Sequence, residues 1–240
     1  PPQYFPLNVK MNKEGYDDIG EVLKRGTTAM SPEAFEVAAN ETAAVVLDVR
    51  HQDDFAKGHV PRSIFIGLNG DFAPWVGALI ADVEQPILLV APEGKEEEAI
   101  TRLSRVGFDG TLGYLKGGIE AWKMAGKEVD TVMSVPATDV KTKMDSWQII
   151  VFDVRKHGEY LSEHVLGATH TPLGYLNDHL AEFPNEEAFY IHCAGGYRSM
   201  IAASILKSRG IHNLIDVAGG FKAIKEAGIT VSDYVCPTTL

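Results

Sequence analysis

Apolar positions along the chain fall into two kinds of run. Short unbroken runs at Ala43-Ala-Val-Val-Leu-Asp-Val-Arg50, Pro86-Ile-Leu-Leu-Val90 and Phe189-Tyr-Ile191 end in polar or small residues, as strands buried on both faces of a parallel sheet do. Shorter strands are predicted at Ser63–Ile66 and Thr111–Tyr114. Between the runs, apolar residues recur at helical spacing over Phe72–Ala81, Glu96–Arg105, Gly117–Met124 and Met200–Lys207, with a short helical patch over Asp53–Lys57. A further helix starts at Pro32, with Ser31 as N-cap and acids in its first turn. Strands alternating with helices predict an α/β fold: parallel sheets flanked by helices.

The order of these blocks occurs twice. Phe152-Asp-Val-Arg155 follows Leu47-Asp-Val-Arg50, and Glu163-His-Val follows Gly58-His-Val, both at an offset of 105. The strand at 189–192 matches Ile87–Val90, and Gly219-Gly-Phe-Lys-Ala matches Gly117-Gly-Ile-Glu-Ala, both at an offset of 102. The chain therefore divides into a linker or extended arm (1–26, the end of an upstream domain in one reading) and two tandem domains, 27–133 and 134–240.

Chemistry concentrates in one loop of the second copy. Cys193-Ala-Gly-Gly-Tyr-Arg198 lies between the strand ending at His192 and the helix that follows, at the carboxyl end of a parallel strand, where sites in such sheets form. Glycines let successive N–H groups converge, and a helix N-terminus adds positive potential. A thiolate at Cys193 would then face the backbone N–H groups of Ala194, Gly195, Gly196, Tyr197 and Ser199, with Arg198 as a cationic fork. The first copy has Ala91 where the second has Cys193, and Glu96 where it has Arg198. Its loop, Ala91-Pro-Glu-Gly-Lys-Glu-Glu-Glu98, offers no nucleophile and repels anions, so that copy is inactive. Asp48, Arg50, Asp153 and Arg155 occur in both copies and read as structural. His192 precedes Cys193 on the strand and points to the opposite face, so it is not assigned as a general base. Tyr197 either walls the pocket or is a plain loop aromatic.

Composition narrows the classes. At 45% hydrophobic and 23% charged the chain has the make-up of a globular protein, and no apolar run nears the length of a membrane span. Net charge is −11, with 13 Lys and Arg against 21 Asp and Glu over residues 1–135 and 9 against 12 over 136–240. Neither half carries a basic stripe, so neither nucleic acid nor membrane is an expected partner. Two cysteines make a disulfide framework improbable and place the chain in a reducing cytoplasm. The histidines show no ligand spacing, and no metal site is expected.

Taken together, Cys-x-x-Gly-x-Arg after a buried strand, Asp-Val-Arg, Gly-His-Val or Glu-His-Val, and Gly-Gly-Phe/Ile-x-Ala resemble tandem rhodanese (sulfurtransferase) domains over residues 27–228. The resemblance implies that Cys193 carries sulfane sulfur as a persulfide, taken from thiosulfate or a thiol persulfide and passed to cyanide, sulfite or a thiol. The loop amides would hold the persulfide, and Arg198 would orient an anionic donor. The segment Tyr4-Phe-Pro through Gly15 is similar to the end of metallo-β-lactamase-fold domains that carry rhodanese modules, among them persulfide dioxygenases. That similarity implies a fused metal-binding partner with iron upstream and no cofactor in this fragment. Two other readings stay open. One is a cysteine phosphatase or arsenate reductase, whose loops generally hold one more residue between Cys and Arg; the other is a non-catalytic sulfur carrier or docking module. Cys236, near the C-terminus, is either incidental or able to resolve a persulfide.

Overall fold

The computed structural model describes residues 18–146 and 148–236. Its contacts separate two compact units, divided between Asp130 and Thr131. The segment Tyr4–Gly15 lies outside the described residues, as does the end of the chain beyond Cys236.

In the first unit, α1 (Ile19–Gly26) precedes β1 (Ala29–Met30) and α2 (Pro32–Thr42), and then come β2 (Val45–Asp48), α3 (Gln52–Lys57), β3 (Ile64–Phe65), α4 (Phe72–Leu79), β4 (Ile87–Val90), α5 (Glu96–Ser104), β5 (Thr111–Leu115) and α6 (Gly118–Met124). The described strands form a five-stranded sheet in the order β1-β5-β4-β2-β3. Its pairs are parallel. Ser31 accepts a hydrogen bond from the Ala34 N–H at 3.3 Å and Pro32 opens α2, which is the start its sequence predicts. Residues 19–26, expected as part of an arm, form a helix instead. Asp18 caps it by accepting from Gly20 N–H at 2.7 Å, Val22 is fully buried, and Arg25 Nε donates to the Thr111 carbonyl of β5. One buried valine per two turns leaves almost no periodicity to detect.

The second unit repeats the plan. It runs through β6 (Ser134–Pro136), α7 (Ala137–Ser146), β7 (Ile150–Asp153), α8 (His157–Ser162), β8 (Thr169–His170), a 3₁₀ stretch at Leu173–Glu182, β9 (Phe189–His192), α9 (Tyr197–Ser208), β10 (Leu214–Ala218) and α10 (Gly220–Glu226). The order β6-β10-β9-β7-β8 is that of the first sheet with each strand replaced by its counterpart. β9 is central, with Tyr190 opposite Ile215 of β10 and Val151 of β7. Alternate residues serve opposite faces. Val151, Tyr190 and Val217 pack with Val140 of α7 and Ile224 of α10, while Phe152 and Phe189 close on Phe183 with ring centroids 4.4 and 5.4 Å away. Both faces are covered, so β9 is apolar up to its polar end at His192, and the next residue, Cys193, lies where the strand leaves the sheet. α9 is buried at every residue from Ser199 to Lys207; apolar on nearly all sides, it belongs inside. Among the described residues no helix is long and apolar enough to cross a membrane.

Candidate functional site

β9 delivers Cys193 to the carboxyl edge of the sheet, and the chain turns at once into α9. Gly196 makes the turn with φ 102°, a backbone state that residues with a side chain avoid. In that conformation the Gly196 N–H donates to Cys193 Sγ at 3.1 Å, and the first turn of a 12-residue helix follows directly. The helix begins at Tyr197, three residues before the apolar spacing predicts, so Arg198 and Ser199 belong to its first turn and not to the loop. Cys193 is 1% exposed, while Ala194 and Gly195 are exposed and Tyr197 and Arg198 half-buried. The thiol is therefore buried, while the two residues after it are open to solvent.

Each expected site residue has a definite place. Arg198 Nη1 and Nη2 donate to the two oxygens of Glu159 on α8 at 2.6 and 2.8 Å. The pair answers a question posed by the sequence: a cation in the first turn opposes the helix dipole, and a carboxylate on the neighbouring helix offsets it. Ser199 is fully buried. Its hydroxyl donates to Asp216 Oδ1 at 2.7 Å, so its side chain anchors the helix and does not face a ligand. Asp216 Oδ2 also accepts from Ser134 Oγ of β6 at 2.8 Å.

A second helix holds the loop from below. At the head of α10, Phe221 N–H donates to the Cys193 carbonyl at 2.7 Å and Lys222 N–H to the Ala194 carbonyl at 3.3 Å. Gly220 lies so close that a Cβ there would meet Ala194 C and Gly195 N at 2.8 Å and collide with the Cys193 carbonyl oxygen. The first copy keeps the glycine but not the contact: a Cβ on Gly118 would meet nothing within 4 Å. Its own loop folds as a separate turn, with Lys95 N–H donating to the Pro92 carbonyl.

Asp153 and Arg155 form a buried bidentate pair, Arg155 Nη2 also donates to the Glu163 carbonyl at 2.8 Å, and its guanidinium lies 3.8 Å over the Phe221 ring. Asp48, Arg50 and the Gly58 carbonyl repeat the hydrogen bonds in the first copy. Burial raises the Asp48 carboxyl against the opposing pull of Arg50.

His192 is fully buried, its Nδ1 facing the Cys193 carbonyl at 3.3 Å and its Nε2 lying 3.8 Å from Asp153 Oδ2. Burial lowers its pKa, with Asp153 opposing, so the folded ring gives up its proton at lower pH than a free imidazole does. The unfolded chain takes up this proton below about pH 6.5 and the folded one only at lower pH, so stability falls as pH drops through that value. His170, lowered by its own burial, adds to the trend. In unfolding measurements between about pH 7.5 and 5, His192→Val, which installs the residue of the first copy, should lose less of its melting temperature than the native protein; an equal loss would contradict this account.

A cavity of about 490 Å³ lies along α8, where Glu159 meets Arg198, and against Phe221 at the head of α10. Its walls include Arg155, Lys156, Glu159, Glu163, Phe221 and Tyr234. Tyr234 is brought there by the segment that follows α10, where Ser162 Oγ donates to the Val235 carbonyl and Val235 N–H to the Ser162 carbonyl. Cys236 next to it is exposed. Among the described residues no group of three or more His, Cys, Asp or Glu stands ready to hold a metal ion.

The model of the rhodanese-like domain matches residues 31–125 and again residues 136–227. The chain belongs to the rhodanese-like family. The two matches lie on the two sheets, and the Cys193 loop falls in the second. Relatives of this rhodanese-like chain include the uncharacterized protein YibN of Escherichia coli K12, 34% identical over 94 residues, with 39% of this chain and 64% of that one covered. The uncharacterized protein YqhL of Bacillus subtilis is 33% identical over 72 residues, covering 30% and 57%, and the thiosulfate sulfurtransferase GlpE of Coxiella burnetii is 25% identical over 88 residues, covering 34% and 82%. The chain spans about half to two thirds of the length of most curated relatives it matches. Among solved structures, a rhodanese-like domain protein of Staphylococcus aureus is 31% identical, with 39% of this chain and 91% of that one covered and a TM-score of 0.37.

Glu159, Asp216 and Gly220 are absent from the residues singled out by sequence. Comparing the copies would have found two of them: Asp216 stands in an apolar strand where the first copy has Tyr114, and Glu159 stands where it has Asp54. Gly220 has a glycine counterpart, and only the loop's approach distinguishes it.

Proposed function

We propose that the second unit is a sulfurtransferase in which Cys193 carries sulfane sulfur as a persulfide. The observation that supports this most is the Gly196 N–H aimed at Cys193 Sγ at 3.1 Å, in a loop that the first copy lacks. A donor dipole at the sulfur, with a helix N-terminus behind it, favours negative charge there. In the first step the Cys193 thiolate attacks the outer sulfur of the donor. With thiosulfate, the S–S bond breaks and sulfite leaves with the electron pair. With a thiol persulfide R–S–SH, the thiol R–SH leaves and takes the proton. In the second step an acceptor such as cyanide attacks the outer sulfur of Cys193–S–S⁻, thiocyanate forms, and the thiolate returns. Ala194, Gly195, Gly196 and Tyr197 surround the carried sulfur, and the first unit takes no part in the chemistry. Phosphate-ester hydrolysis fits less well, since an oxyanion would need the Arg198 fork that Glu159 already occupies.

Mass spectrometry after incubation with thiosulfate or glutathione persulfide tests the reading. The peptide containing Cys193 should gain the mass of one sulfur atom and lose it on addition of cyanide. A thiol that is alkylated readily yet never gains sulfur from either donor would sink it.

A further inference from the structure

Arg198 is the one Lys or Arg between Cys193 and Ser199. Its charge is not open. Both terminal nitrogens are held by Glu159 in a parallel, two-bond pair, the strongest geometry available to a guanidinium and a carboxylate. The pair is partly shielded, with the side chains 15% and 36% exposed. Hydrogen bonds from Arg198 hold the Glu159 carboxyl below the usual range, so it remains an anion at neutral pH. The other guanidinium near the loop, Arg155, is likewise bound to Asp153. In the first copy the residues matching Glu159 and Arg198 are Asp54 and Glu96, two acids, and Asp54 lies 4.0 Å from Lys57. The pair therefore belongs to the copy with the thiol.

We propose that Glu159 determines donor specificity: by holding Arg198 it withholds positive charge from small dianionic donors and matches the site to persulfides of organic thiols. This deepens, and rests on, the sulfurtransferase reading of Cys193. The two donor classes differ in what leaves. Thiosulfate expels sulfite, whose two charges sit on one small group beside the breaking bond and need an uncommitted cation. A persulfide expels a thiol that departs with its proton, and this step places no second charge at the loop. The cavity that Glu159 and Phe221 help to line gives space to an organic body, which thiosulfate does not have. Glu159 acts through Arg198, so it is a positioning residue.

The test compares kcat/KM for thiosulfate and for glutathione persulfide, with cyanide as acceptor, in the native protein and in Glu159→Gln. Releasing Arg198 should raise the thiosulfate-to-persulfide ratio about tenfold, mainly through a lower KM for thiosulfate, as expected for one partly exposed charge pair. Glu159→Asp, which keeps the charge, should restore the native ratio. Arg198→Gln reads the same pair from the other side. It bares the carboxylate, should lower the ratio, and needs no folded Glu159→Gln. Equal changes for both donors, or a ratio that does not move, would overturn this proposal and leave sulfur transfer standing. Failure of both donors to load Cys193 in the native protein would overturn both readings.

Discussion

Cys193→Ser should leave a folded protein whose sulfur transfer has dropped to the uncatalysed rate, a loss on the order of 10⁴-fold or more for removal of a nucleophile. The expectation follows from where the thiol sits. It is 1% exposed, closed in by the loop and by α10, so no other thiol of the chain can replace it at that point. Serine is close to cysteine in size and accepts the Gly196 N–H as sulfur does, so the loop has no reason to rearrange. Thiosulfate-to-cyanide and glutathione-persulfide-to-cyanide assays, run with a melting curve, decide the matter. Turnover that survives above about one per cent of native would move the chemistry elsewhere, with the exposed Cys236 as the next thiol to replace.

Gly220→Ala should cost nearly as much without touching the reactive group. The added methyl meets backbone atoms of Cys193, Ala194 and Gly195, and backbone has no rotamer to yield. Either the loop lifts from α10, breaking the Phe221-to-Cys193 hydrogen bond, or α10 retreats and opens the sheet's cover. A shift of about 1 Å at the nucleophile is enough for roughly a 10²-fold loss in rate. Gly118→Ala is the built-in control. Its φ of 57° matches the 59° of Gly220, so both substitutions carry the same left-handed strain of about 1 kcal/mol, but only one drives atoms into the loop. Activity assays and melting curves of the two variants should part company: a small loss of stability from backbone strain alone in Gly118→Ala, a larger loss of stability and a large loss of activity in Gly220→Ala. Equal activity in both would mean that the close approach at Gly220 has no bearing on the thiol.

The physical reasons for what sequence could and could not give are visible residue by residue. Buried parallel strands announce themselves because both faces are apolar, so Ile87–Val90 and Phe189–His192 could be read almost to the residue, and the duplication checked each by its twin. Cys193 stood out because its loop differs from that of the first copy while the frame around it does not. What stayed hidden depends on partners distant in sequence. Nothing local ties Glu159 to Arg198 or Ser199 to Asp216, and the start of α9 at Tyr197 is set by Gly196, since apolar spacing begins only where the helix is buried. Helix α1 was missed for the opposite reason, that one buried valine is too little pattern. His192 lies fully buried, with Nδ1 3.3 Å from the Cys193 carbonyl and Nε2 3.8 Å from Asp153 Oδ2.

The bonds of Asp216 bear on how the second unit transmits mechanical disturbance. One carboxylate oxygen takes the hydroxyl of Ser199 at the head of α9, the other that of Ser134 on β6, and β6 is an outer strand of the sheet. Outer strands have neighbours on one side only and are the first part of a sheet to loosen. Through this carboxylate the turn that aims an N–H at the sulfur is tethered to the strand where the unit begins. Fraying at that margin would reach the head of α9 through these two hydroxyls, so the alkylation rate of Cys193 is the readout that would gauge how firmly the edge is closed.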